Sequence, residues 1–580
     1  MASGGEHDLV IRNGLLADGT GAPLREADVA LRGGTVSEVG TVAGRGREEI
    51  DAAGALVAPG WVDVHTHYDG QATWDEHLFP SSAQGVTTVV FGNCGVGFAP
   101  VRPADRDRLV ALMEGVEDIP GTALHEGLPW DWTGFPEYLD SLERRRRDID
   151  CAAYVPHGAL RVHAMGPRAV AGEPATDDDI AAMAALAHGA VAAGAVGFST
   201  SRTLNHRSST GEKTPSLTAS APELAGIAAG LAAAGRGVLQ VVSDFLDVDE
   251  EWAVLRHMAA SSGRPLTISV AQIPDRPTDH VAVLDRIAAA NAEGLAVSAQ
   301  VAPRAIGLLL GLSCTLHPFM TNPVFAEIAG EPLGEQVGAL RHPEFRRRLL
   351  AAHTGRLDRT KLGGFLIDRF GSMYPLGDPP DYEPHPSASL AARAESTGVP
   401  AVELALDALL ADDGRGLLYL AFANYVDGNL DEARRMLVHP NAVPGLSDGG
   451  AHVGTICDGS FPTFLLAHWG LHRPEGRLPV EWLVERQTRA TARTLGLTDR
   501  GVVARGFKAD LNVIDLDRLR LHRPEIHHDL PAGGRRLLQA ADGYRHTFVS
   551  GVEIMRDGKP TGALPGRLVR SGSACLGGGR

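Results

Sequence analysis

Lysine is nearly missing from this 580-residue chain: Lys213, Lys361, Lys508 and Lys559 are the only four among 54 basic residues. Cysteine is almost as scarce. Cys94, Cys151, Cys314, Cys457 and Cys575 show no paired spacing, which excludes a disulfide framework and fits reduced thiols in a cytoplasmic protein. No run is long and apolar enough to cross a bilayer. The first eight residues, Met1 to Asp8, lack the basic-then-apolar pattern of a secretory leader. Positive charge is in deficit. With 71 acidic residues, a net charge of −17 and a pI near 5.7, neither a nucleic acid nor an anionic membrane is an expected partner. The runs Arg144–Arg147 and Arg346–Arg348 are short and are expected to be solvated helix faces.

What is present is a rhythm. Eight short apolar, β-branched runs recur along the chain: Leu56–Val64, Val86–Phe91, Ala152–Val155, Ala195–Ser199, Gly237–Val242, Leu266–Val270, Ala296–Val301 and Ala442–Leu446. Alanine-rich segments of helical period separate most of them, such as Asp178–Ala193 and His280–Ala292. Eightfold alternation of this kind predicts an α/β fold, a (β/α)8 TIM barrel over residues 58–499. About 140 residues, 302–441, break the rhythm between the seventh and eighth strands; this insertion is expected to be a lid or subdomain. Both ends have alternating, turn-rich texture, so residues 1–57 and 500–568 are expected to form one small β-sandwich domain, followed by a disordered tail at 569–580.

The most informative residues are His65-Thr66-His67, which end the run Ala58–Asp69. Residues two apart on a strand point to the same side, so two imidazoles leave one face together within reach of one divalent cation. Asp448, in Gly445–His452, stands at the exit of the eighth strand, on the face where active sites of such barrels lie.

The chain resembles the amidohydrolase superfamily, and within it the N-acyl-D-amino-acid deacylase (D-aminoacylase) group. The resemblance rests on Asp8–Gly14 with Asp18–Gly21, on Ala58–Asp69 and Gly92-Asn-Cys-Gly95, and on Gly197–Thr200, Ser447–Gly449 and Gly506–Asp510. It implies a barrel with a small β-sandwich. It also implies metal ligation by His65 and His67, a cysteine ligand at Cys94, and Asp448 as both ligand and proton shuttle. The carboxylated lysine of other superfamily members has no counterpart, because none of the four lysines falls on a predicted barrel strand.

The group's histidines on strands five and six are absent. In their place stand Gln240, Ser243, Asp244, Ser269 and Gln272. Three arrangements follow: one metal on His65, His67, Cys94 and Asp448; a carboxylate such as Asp244 replacing the imidazoles; or no metal. The first, with zinc or another divalent ion, is favoured. Arg202 and His206 after strand four, His157 and Arg161 after strand three, Arg304 after strand seven, and His452 are candidates for substrate contact at the mouth, while Asp63 is expected to be structural. The expected activity is hydrolysis of an amide C–N bond in a small carboxylate-bearing molecule. The alternatives are altered chemistry on the same fold (cyclic-amide hydrolysis or a lyase step) and a non-catalytic ligand-binding barrel. Oligomeric state is not encoded in any motif.

Overall fold

The computed structural model describes residues 6–353 and 368–572. Lys361, Cys575 and the tail from 573 onward lie outside the described residues. Eight parallel strands form the central sheet: β1 (Trp61–Asp63), β2 (Val86–Phe91), β3 (Asp150–Pro156), β4 (Gly197–Arg202), β5 (Val238–Ser243), β6 (Leu266–Ser269), β7 (Val297–Val301) and β8 (Ala442–Pro444). They pair in sequence order. A parallel bridge between Thr66 and Gly449 joins the continuation of β1 to that of β8 and closes the barrel. Every residue of β2 and β3 is buried, as expected of parallel strands covered on both faces.

The helices around the barrel carry their own start signals. Thr176 caps the helix Asp177–Ala192 in a capping box with Asp179, and three aspartates occupy its first turn, where the helix dipole favours negative charge.

The apolar run Leu56–Val64 is not one strand. Leu56–Pro59 pairs antiparallel with Leu511–Ile514, and only after Gly60 does the chain enter the barrel. A Cβ at Gly60 would lie 2.2 Å from Thr87 Oγ1, so glycine is required where the chain changes sheets. Leu56–Pro59 belongs to a nine-stranded sheet assembled from both ends of the chain, in which His7–Leu16 pairs with Arg25–Arg32 and Tyr544–Val549 with Leu511–Ile514.

The insertion between β7 and β8 is a packed unit. Ile306–Leu310, Leu417–Ala423 and Met373–Leu376 form an antiparallel sheet. Helices such as Leu333–Arg341 and Ala401–Gly414 bury Leu340, Leu406 and Leu409 against it, in a core of its own with Leu310, Phe319 and Leu418.

Two expectations need correcting. Arg147 is not on a solvated face: it is fully buried and donates to Leu142 O and Cys151 Sγ. Residues 569–572 do not leave the body of the protein either. Val569 N donates to Cys151 O at 2.7 Å, and Arg570 reaches Asp140 and Glu143.

Candidate metal centre

His65 and His67 continue β1 beyond its last ladder residue. Their rings are held from behind. His65 Nδ1 lies 2.6 Å from Gln300 Oε1 on β7, and His67 Nδ1 lies 3.3 Å from Glu117 Oε1. The Nε2 atoms of both rings turn to one small space, His65 Nε2 beside Asp448 and the Cys94 thiol and His67 Nε2 beside Asp448. Cys94 follows β2 in the loop Gly92–Gly95. The loop is strained: Cys94 has φ 56°, and a Cβ on Gly92 (φ 77°) would stand 2.4 Å from Tyr154 O. Gln240 Oε1 on β5 accepts Cys94 N at 3.0 Å, which locks that conformation. The thiol ends 3.3 Å from His65 Nε2.

Asp448 enters from beyond β8, in a backbone with φ 48°. Its Oδ1 lies 3.3 Å from His65 Nε2 and 3.5 Å from His67 Nε2. One donor atom from each of His65, His67 and Cys94 falls within 4.8 Å of the others, and among the described residues this is the only such cluster.

The donors are chemically matched to a divalent cation. Burial pushes the pKa of both imidazoles down, so both keep a neutral nitrogen. Burial, reinforced by the charges of Glu117, Asp448 and Asp69, raises the Cys94 thiol well above its usual range. Three carboxylates and a thiol around two neutral rings lack a positive charge, and a soft cation supplies it. Burial acts to raise the Asp448 carboxyl, but the neighbouring His67, His65 and His452 rings outweigh it and hold its pKa below the usual carboxylate range.

Glu117 is a site residue that sequence reasoning missed. It ends the helix Arg106–Glu117, is 1% exposed, and bridges His67 to His452, whose Nε2 lies 3.4 Å from Glu117 Oε2. Burial raises its pKa well above normal, with Asp448 and Asp69 adding to the effect. No motif marks it; the only signal was an acid at a helix position that packs inward.

The other candidates divide into two groups. His206 and His452 sit beside the centre. His206 Nδ1 lies 2.9 Å from Ser201 Oγ, and its pKa is pushed down to about 3 by burial and then by His452 and His67. Arg304 is buried, pairs with Asp458 at 2.6 Å, lies 3.6 Å over the Tyr382 ring, and keeps Nε and Nη1 without a hydrogen-bond partner.

Arg202 and His157 do not stand free at the mouth. Arg202 is held by Glu251 through both Nε and Nη2, at 2.5 and 2.9 Å. His157 is fully buried between Thr200 and Glu223, and Arg161 Nε meets the same glutamate at 2.9 Å. Asp244, the carboxylate considered as a substitute ligand, accepts from Thr203 and from Leu204 N and is not part of the cluster. Gln272 fastens the insertion through Asn424 and Asp427. Asp63 accepts from Ser447 Oγ at 2.5 Å and from His65 N, and burial lifts its pKa to about 7.

A profile of the amidohydrolase family matches residues 48–555. The chain belongs to the amidohydrolase family. Over 98% of its length this amidohydrolase is 29% identical to an N-acyl-D-glutamate deacylase of Alcaligenes xylosoxydans xylosoxydans, 98% of which is covered. An N-acyl-D-aspartate deacylase from the same organism is 26% identical over 98% of this chain and 96% of its own. A D-aminoacylase, also from that organism, is 36% identical over 194 residues, 37% of its length. Among solved structures, an N-acyl-D-glutamate deacylase from Bordetella bronchiseptica, complexed with zinc and a phosphonate inhibitor, has a TM-score of 0.62 at 25% identity, covering 97% of this chain and all of that one. The amidohydrolase is thus of the D-aminoacylase-like group, a metal-dependent hydrolase of linear amide C–N bonds. The lyase, cyclic-amide and binding-only alternatives are set aside by these full-length deacylase relatives.

Proposed function

We propose that this enzyme removes the acyl group from an N-acyl amino acid, with the D configuration as the first to test, and works with one zinc held by His65, His67 and Cys94 with Asp448 in reach. The observation that carries the reading is the convergence of those three donors, with Asp448 Oδ1 at 3.3 and 3.5 Å from the two Nε2 atoms. The zinc in the Bordetella relative supports the choice of metal. When bound, the ion polarises the scissile carbonyl and lowers the pKa of its water.

Asp448, ionised and facing the same space, accepts a proton as the water oxygen bonds to the acyl carbon. It returns that proton to the nitrogen as the C–N bond breaks, giving a carboxylate and a free amine. Gln300 accepts from His65 Nδ1 and so presents that ring's Nε2, and Glu117 stands 3.3 Å behind His67 Nδ1. Neutral His206, with Nδ1 on Ser201, offers Nε2 to a substrate oxygen, and His452 is held beside the centre by Glu117. The unpartnered Nε and Nη1 of Arg304 are the strongest candidate for the substrate carboxylate, since a buried guanidinium N–H gains most from an anionic acceptor.

A single ion is favoured because Gln240 and Ser269 stand where the group has imidazoles. Gln240 is already used by Cys94 N, and its Nε2 lies 3.5 Å from Ser269 Oγ. The insertion, which brings Tyr382 and Tyr419 against Arg304, is proposed to choose the substrate. Metal content of the purified protein, followed by turnover of paired N-acyl-D- and N-acyl-L-amino acids with zinc, manganese or cobalt, tests this reading. Two tightly held ions per chain, or no turnover of any N-acyl amino acid, would overturn it.

A further inference from the structure

The opposite end of the barrel holds a second, unrelated feature. An open cavity of about 1340 Å³ lies under the N-terminal ends of β4 to β8, reaching Val196, Val238, Leu266, Val297 and Ala442, with the terminal sheet as its other wall. The metal centre sits beyond the C-terminal ends of the same parallel strands.

Its lining inverts the charge of the protein. The whole chain has 71 acidic residues against 54 basic. The cavity is lined by nine arginines and lysines and by two carboxylates, Asp150 and Asp499. Both carboxylates are already engaged, Asp150 with Arg500 and Lys508, Asp499 with Arg500. Among the described residues, Arg264, Arg486, Arg493, Arg505 and Arg567 line the cavity with no carboxylate partner. Arg236 donates only to Ser571 O.

Two of these groups are partly desolvated. Arg264 Nε and Arg486 Nε are buried without a hydrogen-bond partner. Burial lowers the Arg486 pKa despite the nearby Glu485, as expected for a cation short of counter-charge. Arg486 and Arg493 lie on one helical stretch, Val480–Thr494, and both line the cavity.

We propose that this cavity binds an oligophosphate group. A concave site lined with one sign of charge concentrates the opposite sign, and several guanidinium forks match the geometry of phosphate oxygens. A multiply charged phosphate chain answers more of the unpaired arginines than a single carboxylate would. The site is separate from the catalytic mouth, so its ligand is not the amide substrate.

The test is calorimetric titration of the full-length protein with sodium tripolyphosphate, at ionic strength matched with sodium chloride. Saturable binding is expected, weakened at least tenfold in R264Q/R493Q and unchanged in R25Q/R47Q, which removes two exposed arginines elsewhere. If R264Q/R493Q does not fold, R505Q/R567Q, two exposed positions, provides the same readout. A parallel titration with adenosine triphosphate separates the possible sources. Equal affinity assigns the cavity to the phosphate chain alone, and tighter binding assigns it to a nucleotide. No saturable binding by either probe, or equal weakening in the R25Q/R47Q control, would overturn the proposal.

Discussion

His67 Nδ1 and Glu117 Oε1 face each other at 3.3 Å, both buried, in a centre where the other nitrogen of His67 is turned towards Asp448. A carboxylate behind a ligating imidazole fixes its tautomer and raises its basicity. Glu117→Gln keeps the volume and replaces the carboxyl group by an amide. It is expected to weaken metal affinity about ten- to a hundredfold, measured by competition with a chromogenic chelator. Unchanged affinity would show that Glu117 is only a packing residue.

Asp448→Asn preserves shape and removes the base. Turnover should fall on the order of a hundred- to ten-thousandfold with KM little altered. Steady-state kinetics on the best N-acyl substrate decide this, and near-normal kcat would mean that another group moves the proton.

Cys94→Ser exchanges a soft thiolate for a hard hydroxyl at the same position. Equilibrium dialysis against zinc should show a large loss of retained metal. Far-UV circular dichroism should stay unchanged, because the loop is held by Gly92 and Gln240 and not by the sulfur.

Arg304→Met removes the buried guanidinium yet leaves an apolar side chain beneath Tyr382. KM for an N-acyl amino acid should rise, while the amide analogue lacking a free carboxylate should be affected much less. Equal effects on both substrates would remove Arg304 from substrate recognition.

Glu383 couples stability to acid. Burial raises its pKa, but His468, Arg473 and Leu430 N bind the ionised form and hold it at about 2, below the ordinary 4.5. A carboxyl that ionises more easily in the folded state contributes stability above its unfolded pKa, and that stability is lost as pH falls through the folded one. Glu383→Gln should therefore lower stability near neutrality and flatten the decline of Tm between about pH 4.5 and 2. A parallel decline in both proteins would assign the acid sensitivity elsewhere.

The barrel was legible because parallel strands are buried on both faces and so appear as unbroken apolar runs; all eight lie where such runs stand. His65 and His67 were legible for a related reason: at a strand's end the period of two sends both side chains to one face before any packing is known, whereas Cys94 was pointed to only by the resemblance that Gly92–Gly95 carries. Three features were decided only by tertiary structure. Whether Leu56–Val64 was one strand or two depended on the approach of Thr87 to Gly60, a contact 27 residues away in sequence. Whether Arg202 and His157 stood free depended on Glu251 and Glu223, which arrive from later helices and occupy them. Glu117 was invisible for the converse reason. Its chain neighbours give no sign of a site, and it gains its role only when the helix ending at Glu117 and the loop carrying His452 meet behind His67. Local sequence determines which way a side chain leaves its own strand or helix, while the partners it meets there come from distant segments and are set by how those segments pack.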